Sequence, residues 1–175
     1  MADTKISNLT AASSPLSATD PLPIVQSGTT KKTTPAQLQS FMPTFSAYNS
    51  ATQSITSGVA TKVSLNTDEW DTASAFDTTN SKFQPAVAGY YNIIMKAAMN
   101  AAPSQIDLRL YKNGSLYKSG GVRSGSTDYA NQATFLVYLN GSTDYVEFWV
   151  QLNTTQDLQA GAGNTFMQGI LVRAG

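Results

Sequence analysis

Beyond residue 44, hydrophobic and polar positions alternate with a period of two through most of the chain. Ile106, Leu108 and Leu110 share one side of a run, and Val146, Phe148, Val150 and Leu152 share one side of another, opposed by Tyr145, Glu147, Trp149 and Gln151. Val63 and Leu65 alternate within Lys62 to Asn66, and Tyr91, Ile93 and Met95 follow Gly89, which frees the backbone where a strand begins,. Successive side chains of a strand point to opposite faces, so these runs predict half-buried β-strands. Turn signals punctuate them at Asn113-Gly114, Gly120-Gly121, Asn140-Gly141 and in the loop from Ala160 to Thr165,. Both Asn-Gly pairs predict tight turns with positive backbone angles. That requirement accounts for them without glycosylation, although Asn8, Asn113, Asn140 and Asn153 all open Asn-x-Ser/Thr triplets. The pattern predicts an all-β chain folded as an antiparallel sandwich or jelly roll.

The first 43 residues follow a different pattern. Five of the seven prolines lie there but only one aromatic residue, Phe41, whereas the other sixteen aromatics come later. Only the later region can bury a large core, which sets two domains, 1–43 and 44–175. Within the first, Leu22 to Gln26 reads as a strand, Ser27-Gly28 as a turn and Thr29 to Thr33 as the return strand,. Thr34 then caps a short helix opened by Pro35, with Leu38 and Phe41 or Met42 on one face,. A lone hairpin is marginal in water, so Ile6, Leu9, Leu16, Leu22, Ile24 and Val25 are expected to need another surface. The alternative is a disordered tail.

Composition narrows the chemistry. Eleven basic and eleven acidic residues leave zero formal charge, so no field favours nucleic acid or an acidic membrane surface,. The chain has neither cysteine nor histidine, which removes disulfides, thiol nucleophiles, the commonest general base and the usual zinc ligands,. Asp68, Glu69 and Asp71 around Trp70 form the densest acidic cluster, either a carboxylate pair or calcium ligand set or, the reading preferred, a solvated edge,. The expectation is a protein without enzymatic activity, cofactor or catalytic residues. No apolar run approaches the roughly 20 residues needed to span a bilayer, and the first residues lack signal-peptide order, which predicts synthesis in a cytoplasm.

One stretch carries a more specific signal. Phe76-Asp77, Lys82-Phe83, Pro85, Gly89 and Tyr91 resemble the signature of the complement C1q globular head and its tumour-necrosis-factor-like relatives. Leu110 to Gly114, Leu139 to Gly141 with Asp144 and Val146, and Thr165-Phe166 with Gly169 to Leu171 are similar to further family motifs, so the resemblance covers residues 45–175. Gly141 and Asp144 stand further apart than in the family, as do Phe166 and Gly169, which predicts a longer loop or a bulge. The alternative is that these aromatics are merely the core of some other sandwich. The resemblance implies a trimer, and Tyr90, Leu136, Tyr138 and Met167, read as facing away from the core, are expected to line the threefold interface. A monomer would otherwise expose an unusually large apolar patch, unless these are scattered surface residues.

No Gly-x-y repeat or long heptad supplies a stalk. Residues 5–41 are instead similar to leader segments of bacteriophage virion proteins, including tail fibres and head-associated proteins. Together the two resemblances imply a structural protein of a virion surface, made in the bacterial host. As a capsid decoration or cement protein it would hold the major capsid protein or another virion component through its N-terminal arm. The alternative is a trimeric tail-fibre or receptor-binding tip that recognises a host surface glycan.

Overall fold

The computed structural model of the chain describes residues 17, 19–34, 42–103, 105–120, 123–124 and 129–175. The chain divides into two compact units, residues 1–41 and 42–175.

In the first unit, β1 (Leu22–Gln26) pairs antiparallel with β2 (Thr29–Thr33). Ser27 and Gly28 both take positive φ, 52° and 75°, the geometry a two-residue hairpin turn requires,. The hairpin therefore forms as the turn residues dictate. The short helix expected after Thr34 falls largely outside the described residues.

The second unit is built from β3 (Thr44–Tyr48), β4 (Gln53–Ile55), β5 (Thr61–Lys62), β6 (Thr67–Asp71), β7 (Phe76–Asp77), β8 (Lys82–Phe83), β9 (Gly89–Ala98), β10 (Gln105–Lys112), β11 (Ser115–Ser119), β12 (Arg123–Ser124), β13 (Ala130–Leu139), β14 (Val146–Leu152), β15 (Gln156–Leu158) and β16 (Phe166–Ala174). One sheet runs β13-β9-β16-β3-β6; the other runs β11-β10-β14-β8-β7, with β12 beside β10 and β5 beside β14. A small pair, β15-β4, completes the described strands. Every pairing is antiparallel, and all regular structure among the described residues is β.

The core comes from the inward half of each alternating run. Tyr91, Ile93 and Met95 of β9 meet Leu108 and Leu110 of β10 and Phe148 and Val150 of β14 in one buried cluster. Val63 and Leu65 are also fully buried, although the strand there is only two residues long. The stretch from Phe76 to Tyr91 supplies the aromatic centre. Phe83 stacks on Phe45 at 4.1 Å between ring centres, Phe45 stacks on Phe76 at 5.2 Å, and Tyr91 meets Phe83 edge-on at 5.4 Å. Such pairs contribute about 0.5–1.5 kcal/mol each beyond the area they bury. The Tyr91 hydroxyl donates to the Val87 carbonyl at 2.7 Å, and burial pushes its pKa up to about 12.

Gly89 and Asn140 differ from expectation in an informative way. Gly89 starts β9 because a Cβ there would lie 2.4 Å from the Arg173 carbonyl and 2.6 Å from Leu171, so the position requires room rather than backbone freedom. Asn113 and Gly114 both have positive φ (53° and 76°), as the β10–β11 turn predicts, but at the second Asn-Gly pair only Gly141 does (70°). There the Asn140 side chain instead accepts from the backbone N–H groups of Ser142, Thr143 and Asp144, at 3.0, 3.0 and 2.9 Å. This side-chain turn accommodates the extra spacing before Asp144. On β16 a register shift lies between Leu171 and Arg173, where a bulge absorbs one residue,.

Candidate functional site

Alternation fixes what the outer face of the β13-β9-β16-β3-β6 sheet presents. On β9 the inward residues leave Tyr90, Asn92, Ile94 and Lys96 outside, and β13 turns Leu136 and Tyr138 to the same side. Register places Tyr138 opposite Tyr90, and Leu136 opposite Asn92, which in turn faces Ile170. Tyr90 and Tyr138 touch edge to face, with ring centres 5.3 Å apart. Their exposures are 45% and 40%, with 50% for Leu136, 44% for Ile170 and 58% for Val172. A shallow groove of about 220 Å³ continues the patch between Trp70, Ile94, Gln168 and Ile170. Beneath it Ser46, fully buried, donates to Glu69 at 2.6 Å and lies 3.1 Å from the amide of Gln168, which donates to it.

Met167 does not belong to this face. It is fully buried, opposite Met95 and Ala47, because β16 turns Met167, Gly169 and Leu171 inward and Phe166, Gln168 and Ile170 outward. Gly169 is the reason the inward row fits: a Cβ there would lie 2.5 Å from the Phe45 ring. Ile170 and Val172 occupy the outward role expected of Met167. Tyr90, Leu136 and Tyr138 do face outward, on two adjacent strands.

The N-terminal residues expected to anchor the chain separate into described and undescribed sets. Leu22 and Ile24 are half-buried on one side of the hairpin and Val25 is 74% exposed on the other; Ile6, Leu9 and Leu16 lie outside the described residues.

The acidic cluster has local structural work. Asp71 accepts the backbone N–H of Phe76 at 2.7 Å and that of Ala73 at 3.2 Å, holding the turn after β6. Glu69 takes the Ser46 hydroxyl. Asp68 is exposed; partial burial, and then the charge of Asp71, raises its pKa. Among the described residues no group of three or more potential ligand side chains could hold a metal ion. Asp144, by contrast, is a tied carboxylate. Asn113 Nδ2 donates to it at 2.7 Å, Lys112 Nζ lies 2.8 Å away, and the Asn140 N–H donates at 3.1 Å. The Asn113 bond, followed by the lysine, holds its pKa below the usual carboxylate range.

No family model and no curated protein matches the chain. Solved structures do. The globular domain of zebrafish complement 1qA aligns with a TM-score of 0.55 at 16% identity, covering 76% of this chain and 98% of that one. Murine APRIL aligns at 0.58 and 10% identity, covering 75% and 99%. Vertex protein P5 of PRD1 aligns at 0.56 and 14% identity, covering 75% and 97%. At such identities the likeness speaks to architecture, and it establishes that this chain has an all-β, antiparallel jelly roll of the C1q and tumour-necrosis-factor-like type.

Proposed function

We propose that the protein is a structural component of a virion surface: a homotrimer that decorates a capsid, joined through the outer face of the β13-β9-β16-β3-β6 sheet and fastened by its N-terminal unit. The observation that carries the reading is the contiguous apolar face of Tyr90, Tyr138, Leu136, Ile170 and Val172. Five large apolar side chains on three hydrogen-bonded strands make a patch that monomers rarely leave in water. A closed threefold arrangement covers that face on every copy, and the tumour-necrosis-factor-like fold is one in which trimers form,. An obligate interface of this kind buries roughly 2,000–5,000 Å² in total.

Two similarities support the virion: the phage-type leader across residues 5–41, and the likeness to a protein whose description is a vertex protein. The reading assigns no catalysis, since the acidic cluster serves turns and a serine. Counting copies per particle by quantitative mass spectrometry tests it. Many tens to hundreds of copies support a capsid lattice, whereas a count of a few, all at one vertex, overturns it in favour of a receptor-binding tip. Deleting residues 1–43 should leave a trimer that no longer binds particles.

A further inference from the structure

The outer face of the other large sheet holds a pocket of about 290 Å³, lined by Gly58, Gln105, Asp107, Arg109 and Gln151 among others. Because Ile106, Leu108 and Leu110 point to the core, β10 turns Gln105, Asp107, Arg109 and Tyr111 outward. Register sets Asp107 beside Gln151, Arg109 beside Trp149, and Tyr111 beside Glu147.

Asp107, Arg109, Glu147, Trp149 and Gln151 are each held by a neighbour. Asp107 is nearly buried; one oxygen takes the Arg109 Nε–H at 2.6 Å and the other takes the Ser119 hydroxyl at 2.5 Å. The carboxylate is thereby tied on both oxygens, and it uses only one of the five N–H donors of the guanidinium. The two terminal nitrogens of Arg109 have no hydrogen-bond partner among the described residues, while the side chain lines the pocket. Beside it, Trp149 is fixed by its indole N–H, 3.2 Å from Glu147, and by Tyr111 stacked on one ring face at 4.4 Å. Glu147 is in turn paired with Lys62 at 3.1 Å. Gln151 donates to the Gly58 carbonyl at 2.6 Å, which leaves its amide oxygen as an acceptor, and Gln105 adds an exposed amide.

The arrangement offers a planar, pre-oriented cationic fork, amide donors and acceptors at the rim, and an adjoining indole. A fork of this type matches a carboxylate. Amides match hydroxyl groups, and a ring face matches the apolar C–H side of a sugar. Lys62 is paired with Glu147, and Asp107 already balances the charge of Arg109, whose terminal N–H donors alone stay open; among the described pocket residues this suits a singly charged group better than a doubly charged phosphate,.

We propose that this pocket binds an acidic saccharide, its carboxylate held by the terminal nitrogens of Arg109 and its ring placed beside Trp149. The assignment stands on this face alone and does not depend on the virion reading. It is tested with the full-length chain on an array of oligosaccharides containing uronic or other carboxylated sugars, printed beside their carboxyl-reduced, neutral and sulfated counterparts. Binding should be confined to the carboxylated set. Arg109→Lys keeps a cation next to Asp107 but removes the fork, and it should weaken binding about tenfold or more while leaving the melting temperature within a few degrees. Absence of binding to every carboxylated sugar overturns the proposal. So does equal binding of the carboxyl-reduced form, a preference for the sulfated form, or an Arg109→Lys chain that binds as well as the original. The comparison of reduced and native sugars uses the unaltered chain, so it decides the matter even if the variant folds poorly.

Discussion

The two sheets bury their inner faces alike and differ in what they turn outward. The β13-β9-β16-β3-β6 sheet shows tyrosines, Leu136, Ile170 and Val172, while the β10-β14-β5 part of the other sheet shows two ion pairs, Asp107 with Arg109 and Glu147 with Lys62. An apolar face gains free energy when any complementary surface covers it. Charged groups already satisfied by neighbours gain little from being covered, since desolvation opposes each new contact. The same alternation thus yields one surface suited to permanent association and another suited to selective, reversible recognition.

The sharpest way to break this contrast is to put a charge on the apolar face. Tyr138→Asp, which buries an unpartnered carboxylate in the proposed interface, should cost several kcal/mol of association and yield monomer or poorly soluble protein in sedimentation. A soluble wild-type-like trimer would refute the interface. Next in size is a pair of substitutions on one strand. Met167→Ala removes a fully buried side chain and should lower unfolding stability by about 2–5 kcal/mol in denaturant melts,. Ile170→Ala, three residues away and exposed, should instead leave the isolated fold nearly unchanged and weaken assembly. If both act equally on the melt, the inward and outward rows of β16 have been exchanged. On the polar face, Glu147→Gln should remove one partner of a part-buried ion pair with Lys62 and cost about 1–3 kcal/mol of stability with no change in assembly state,.

The smallest effect is a pH dependence. Asp144 has its folded pKa lowered, so it contributes stability that is present above the unfolded carboxylate value, about 4, and lost as pH falls through the lower folded value,. Asp68, raised by burial and by Asp71, works with the opposite sign: its contribution is present below the unfolded value and lost as pH rises through the folded one,. Melts across pH 3 to 6, roughly the range that brackets unfolded carboxylates, should therefore lose part of their acid sensitivity in Asp144→Asn and gain a little neutral-pH stability in Asp68→Asn.

The strands were legible where large side chains repeat every second position, as in β10 and β14, because burial of one face leaves a clear trace in composition. The outward set was legible on β9 and β13 for the same reason, through Tyr90, Leu136 and Tyr138. It failed on β16, where Gly169 occupies an inward position and carries no hydrophobic signal, and where an aromatic, Phe166, faces outward. The polar pocket was not legible at all. Glu147 stands on the side of its strand opposite the apolar row, and its burial involves Lys62, far away in sequence; Asp107 carried no signal, and its pairing with Arg109 and Ser119 shows only in the folded sheet. The acidic cluster lies on β6, which ends its sheet, and its hydrogen bonds to Ser46, Ala73 and Phe76, which depend on how β6 lies against β3 and turns into β7, left no trace in the sequence.

One small feature bears on how far assembly can proceed. β13 ends its sheet, and an uncovered strand there would be a template on which further chains could add without limit,. Lys112 donates its ammonium to the Tyr138 carbonyl at 2.8 Å, and Lys118 donates to the Leu136 carbonyl at 3.1 Å, so two acceptors of that strand are already taken by side chains of the opposite sheet. An incoming strand would have to displace both lysines to reach these carbonyls. Edge addition at this end of β13, a route to fibres, is thus opposed by the same residues that clip the two sheets together,.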